Sequence, residues 1–129
     1  MIVVAIIAIL ASIAYPSYTS HKVKTNRVNA QSELLTIAQQ VNAYKTMNGT
    51  YLDADLAKIY GATTVPRDQP FYDVSFAQIT STYWELVAKP RSDTIQKNDG
   101  WVCLNSEGSK LWMKKGTSCA GLSQTSSWE

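Results

Sequence analysis

Apolar and polar residues are distributed very unevenly along this chain. The first fifteen positions, Met1 to Tyr15, hold no charge, no glycine and only two hydroxyls, Ser12 and Tyr15, and they run into Pro16. An apolar run of that kind reads as a membrane helix; a secretory signal peptide, for which Ser12-Ile13-Ala14 resembles a cleavage site but no basic n-region precedes it, and a core helix of a soluble protein are the alternatives. At 1.5 Å per residue it extends about 22 Å, short of the roughly 30 Å hydrocarbon core of a bilayer. Pro16 lacks an amide hydrogen and its ring crowds the preceding turn, so a bend or interruption is expected there.

After Pro16 the period changes. Val23, Ala30, Leu34, Ile37, Ala38, Val41 and Tyr44 fall on one stripe about 120° wide at 100° per residue, the signature of a helix laid on a core. Arg27 and Lys45 interrupt the stripe near its ends, where long side chains are expected to reach water. Val28 and Leu35 lie off it, seven residues apart, and read either as scattered surface apolarity or as a contact strip for a neighbouring subunit. Asn48-Gly49 supplies a helix stop. A short helix is then expected from Asp53 as N-cap to Tyr60.

Alternation and β-rich composition mark strands at Tyr72 to Ile79, Thr82 to Ala88, Trp101 to Asn105 and Lys110 to Lys114. Tyr72, Val74 and Phe76 share one face of the first, and Trp84, Leu86 and Ala88 one face of the second. Ser106-Glu107-Gly108 suits a hairpin between the last two. One long helix followed by an antiparallel sheet of about four strands is an α+β arrangement. The Ser/Thr-rich end is expected to be ordered as far as Cys119 ties it down, and Trp128 either packs or stays exposed.

The organisation is then a stalk over residues 1–22 and one globular head over residues 23–129, because about 110 residues support one small core. The net charge of +2 is asymmetric: Lys22, Lys24 and Arg27 precede the first acid, Glu33, and the remaining nine bases face ten acids. A near-neutral head gives little compositional support to nonspecific nucleic-acid binding. One local exception is Lys110, Lys114 and Lys115 around Trp112, which mixes phosphate-pairing charge with a stacking surface; a solvated strand carrying one core Trp is the simpler account. Cys103 and Cys119 would bridge in an exported head and stay as free thiols otherwise. His21 is the sole histidine, no Cys-x-x-Cys occurs, and no nucleophile elbow or phosphate loop is present, so neither cofactor, metal nor enzymatic chemistry is expected. Asp53 and Asp55 are read as N-terminal helix acids, not as a cation site.

The string Met1-IVVAIIAILASIAYPS-Tyr18, the amphipathic helix after it, the sheet and the late cysteine pair together resemble the type IV pilins. Tyr83-Trp-Glu-Leu-Val-Ala-Lys-Pro90, Asp99-Gly-Trp-Val-Cys103 and Ser106-Glu-Gly108 look most like minor subunits. The resemblance implies a structural subunit that is built into, or primes, a type IV pilus through its N-terminal helix. A type II secretion pseudopilin and a DNA-capturing competence pilin are the alternatives. The residues it assigns to the membrane and assembly helix are Ile2, Val3, Val4, Ile6, Ile7, Ile9, Leu10, Ile13 and Pro16. Implied partners are other pilins in a helical filament, the inner-membrane assembly machinery, and the membrane before assembly, with nucleic acid the less favoured one. The implied location is the inner membrane with a periplasmic head, then the extracellular pilus.

Family members carry a basic leader that a peptidase removes, a methylated N-terminal Phe and a nearby glutamate. Against that pattern Met1 falls about six residues inside the mature family sequence. Six further apolar residues would lengthen the segment to about 31 Å, enough to span. The leader would also supply cytoplasmic positive charge, allowing the head to be exported despite Lys22, Lys24 and Arg27.

Overall fold

The computed structural model describes the backbone of residues 2–128, and their side chains apart from those of residues 13–17. The chain forms a helix α1 (Ile2–Asn48), a one-turn helix α2 (Leu56–Ile59), and five strands, β1 (Thr64–Val65), β2 (Tyr72–Ile79), β3 (Trp84–Pro90), β4 (Val102–Asn105) and β5 (Lys110–Trp112). The strands make one antiparallel sheet in sequential order. This is the α+β arrangement expected, with a fifth, two-residue strand at the edge, where Thr64 and Val65 pair with Asp73 and Tyr72.

Helix α1 is assigned without a break across position 16, so the interruption expected at Pro16 does not occur; the side chains of Ile13 and Pro16 lie outside the described set. Its two halves do different work. Ala30, Leu34, Ile37 and Val41 are buried, with Val23, Ala38 and Tyr44 half-buried beside them, so the stripe packs as the sequence indicates. It meets Tyr72 and Val74 from β2, Trp84, Leu86 and Ala88 from β3, and Val102 and Leu104 from β4. Phe76 continues that face only partly, because a bulge shifts the register between Phe76 and Gln78. The helix stops where expected: Gly49 takes φ +78° and donates its amide to the Lys45 carbonyl.

Local boundaries differ from the sequence reading by one to two residues at several elements, β4 for instance beginning at Val102 and not Trp101. The cap of α2 is Asp55, whose carboxylate accepts from the Ala57 amide at 2.9 Å, and not Asp53, which sits at φ +69° outside the helix. Strand β3 begins two residues later than expected and includes Pro90, while β5 ends at Trp112. The hairpin between β4 and β5 forms as predicted, with Asn105 Oδ1 accepting from the Glu107 and Ser109 amides and Gly108 at φ +83°.

The outer sheet face is covered as well. Val87, Cys103 and Leu111 are buried against Trp101, Cys119 and Leu122, and the Cys103–Cys119 disulfide holds that cover to β4. Order does not end at Cys119, contrary to expectation. The Ser126 hydroxyl donates to the Lys110 carbonyl, the Trp112 amide donates to the Ser127 carbonyl at 3.0 Å, and the Trp128 indole donates to the Cys103 carbonyl at 2.9 Å. The tail runs along the free side of β5 and satisfies backbone groups that an open edge would leave unpaired.

Candidate functional site: an exposed apolar half-helix and the head that carries it

The first surface with functional content is the beginning of α1. Ile2, Val3, Val4, Ile6, Ile7, Ile9 and Leu10 are all exposed, Ile2 to 77% and Ile6, the least, to 52%. Leaving seven aliphatic side chains in water around one helix is unfavourable, at roughly 1.5–3 kcal/mol for each side chain that a partner could fully bury. Such a surface calls for lipid or protein around it. No helix among the described residues is long and apolar enough to cross a membrane by itself.

What fixes this half-helix to the head is a buried polar clamp that the sequence reading did not anticipate. Arg27 Nη1 donates to both carboxylate oxygens of Asp99, at 2.7 and 3.0 Å, with only 13% and 8% of the two side chains exposed. The expectation that Arg27 reaches water is therefore corrected: its guanidinium lies 3.8 Å from the centre of the Trp112 ring and is held there by Asp99. Tyr72 from β2 donates its hydroxyl to Asp99 Oδ2 at 3.0 Å. Gln96, fully buried, donates to the Tyr72 hydroxyl at 2.8 Å and to the Val23 carbonyl at 3.1 Å, and accepts from Asn26 at 3.2 Å. The Trp112 indole closes the circle by donating to the Asp99 carbonyl at 3.1 Å. Burial first, and the Asp99 charge second, push the Tyr72 phenol well above its ordinary range, which keeps it a donor. One loop, residues 96–99, thus bonds α1, β2 and β5 at once. A charge on the buried stripe was the available signal for Arg27, but nothing local points to a partner 72 residues away.

A second junction lies higher on α1. Tyr60 donates its hydroxyl to Glu33, and Arg67 packs over the Tyr60 ring. Burial and the Glu33 acceptor push the Tyr60 phenol up to about 12.

The remaining candidates are distributed as follows. Val28 and Leu35 are exposed on α1, by 48% and 41%, on the side that faces Trp112 and Trp128. Lys114 and Lys115 are exposed, whereas Lys110 is half-buried with its ammonium over the Trp128 ring at 5.5 Å. Trp112 is not an open stacking platform, since Arg27 covers one face and its indole N–H is used.

A helix that is bare and apolar at one end, buried at the other on a sequential antiparallel sheet, and accompanied by a disulfide near the C-terminus defines a pilin. The chain belongs to the family described as type IV minor pilin ComP, DNA uptake sequence receptor, whose model matches residues 16–107. Its fold is similar to that of the non-core minor pilin PilV of Neisseria meningitidis, with a TM-score of 0.63 and 22% identity, covering 81% of this chain and 99% of that one. No curated protein matches the chain by sequence. The chain is therefore a minor pilin of the type IV pilus, in agreement with the resemblance and not with the pseudopilin alternative.

Proposed function

We propose that this minor pilin enters or primes the pilus by transferring the apolar half of α1 from lipid to the centre of a bundle of like helices. The exposure of Ile2, Val3, Val4, Ile6, Ile7, Ile9 and Leu10 on a helix whose other half is locked into the head carries this reading. Lipid and bundle interior are both dry, so the exchange does not require the helix to enter water. Contacts of this head-to-tail kind do not close on themselves and generate an open fibre. Val28 and Leu35 extend the contact onto the head as a strip for a neighbouring subunit. The inner membrane before assembly and the extracellular filament after it are the locations this implies, and the role is structural, not catalytic. The test is a deletion strain with the protein assayed in sheared filaments. Reduced piliation or recovery of the protein in the sheared fraction supports the reading; normal piliation together with its absence from that fraction refutes it.

A second reading has its own support. The matched family is described as a DNA uptake sequence receptor, and Lys110, Lys114 and Lys115 lie within six residues of one another, with Glu107 the nearest acid in sequence and Asp99 the nearest across the fold, already bonded to Arg27. We infer that DNA is captured here through phosphate contacts, with Trp112 acting as a support under Arg27 and not as a stacking platform. Salt-dependent binding of a duplex oligonucleotide, lost when the three lysines are changed to Ala, is the expected result. Absence of binding at low salt refutes it.

A further inference from the structure

Where α1 leaves its apolar stretch, a trench of about 630 Å³ opens between the helix and β5, lined by Thr19, Ser20, Val23 and Lys24 on the helix side and by Trp112 and Lys114 opposite, with the Arg27–Asp99 pair as its inner wall. The wall carries three bases and one acid, and the acid is already bonded to Arg27. Lys24 and Lys114 are exposed and neither makes an ion pair among the described residues. The trench therefore presents two unneutralised ammonium groups over a partly apolar floor of Val23 and Trp112.

Its position along the helix identifies the occupant. Thr19 lies three residues beyond Pro16, about 5 Å along the axis, and Arg27 about 12 Å further. The headgroup layer of a bilayer is about 5–8 Å deep on each side of the hydrocarbon. With the apolar half of α1 in lipid, the mouth of the trench stands at headgroup level. Tryptophan and lysine are the side chains suited to that depth, one amphipathic and one able to reach a phosphate from a buried stem. Basic pockets beside a membrane helix hold anionic headgroups by the same combination.

We propose that this trench holds the phosphate headgroup of an anionic phospholipid, seated between Lys24 and Lys114, and so sets the head against the membrane before assembly. The proposal rests on the membrane-anchored state described above; it shares Lys114 with the DNA reading and differs from it in Lys24. When the helix moves into a filament the headgroup is left behind, so the contact belongs to the unassembled subunit.

The test uses the full chain and two vesicle populations, phosphatidylcholine alone and phosphatidylcholine partly replaced by phosphatidylglycerol, with binding read by co-sedimentation. The wild-type chain is expected to prefer the phosphatidylglycerol vesicles by on the order of tenfold. The Lys24→Gln/Lys114→Gln variant is expected to lose that preference, while Lys24→Arg/Lys114→Arg keeps it. A Lys45→Gln/Lys58→Gln control, which changes net charge equally with Lys45 about 30 Å along the helix from Lys24, is expected to behave as wild type. Equal loss in both Gln variants overturns the site in favour of net charge. A preference unchanged by Lys24→Gln/Lys114→Gln overturns it outright, and an oligonucleotide that this variant alone fails to bind then assigns the trench to nucleic acid. No binding to either vesicle overturns the anchored state as well, which separates that failure from failure of the trench alone.

Discussion

Removing the carboxylate of Asp99 tests whether the polar clamp, and not only the apolar stripe, holds α1 to the head. Asp99→Ala deletes the acceptor for two Arg27 contacts and for the Tyr72 hydroxyl, leaving a guanidinium that is 13% exposed with no counter-ion. Breaking a buried pair from one side costs about 3–5 kcal/mol, because the remaining charge is still desolvated. Partial solvent access and the Trp112 ring soften the loss here, so about 3 kcal/mol is the expected value. For a chain of this size that corresponds to a fall in Tm of roughly 10 °C. Urea and thermal unfolding of the whole chain in mild detergent, followed by tryptophan fluorescence, measure it directly. The companion variant Arg27→Met/Asp99→Leu removes both charges and is expected to recover most of the loss, since apolar replacements of similar volume are often neutral. A change below about 1 kcal/mol in Asp99→Ala, or a double variant as unstable as the single one, refutes the reasoning.

Other substitutions probe other parts of the fold. Leu34, fully buried under the sheet, is expected to cost about 2–5 kcal/mol when changed to Ala, read by the same unfolding assay. Gly100 sits at φ +111°, and a Cβ there would lie 2.2 Å from the Met113 carbonyl, so Gly100→Ala is expected to lower stability by at least about 2 kcal/mol. Reducing the Cys103–Cys119 disulfide is expected to cost about 3 kcal/mol and to raise binding of an apolar dye as Val87 and Leu111 are uncovered. Tyr60, raised to about 12 by burial and Glu33, favours its protonated form in the folded state. Its contribution is complete below the ordinary phenol value near 10 and is lost as pH rises through about 12. An absorbance titration should show Tyr60 and Tyr72 ionising well above the ordinary phenol value, with Tyr60→Phe removing one of these late groups.

The parts of this fold that follow from periodicity were readable in the sequence. Ala30, Leu34, Ile37 and Val41 recur at helical spacing and are buried, and Trp84, Leu86 and Ala88 alternate and meet them. Gly49 and Gly108 mark a stop and a turn because both need a positive φ. What could not be read depends on long-range pairing. Strand β1 has two residues, too few to show alternation, and exists only because β2 lies beside it. The order of the tail rests on Ser126, Ser127 and Trp128 finding β5 and Cys103, and no local pattern announces that. Arg27 was visible as a charge on an apolar stripe, but its partner Asp99 and the bridging Gln96 lie in a loop about 70 residues away. The apolar half of α1 was fully legible as a surface that needs lipid or protein around it. Which neighbours surround it is information outside this chain.

Whether that surface is the means of assembly can be measured by comparing wild type with Leu10→Glu for the amount of protein recovered in sheared type IV pili. The substitution leaves the head and its clamp untouched, because Leu10 is exposed and far from the core. The account predicts that the wild-type protein appears in the filament fraction and that Leu10→Glu, with an unpaired charge to bury, is lost from it while remaining folded and present in the cell. Recovery of Leu10→Glu in filaments at the wild-type level would contradict the account.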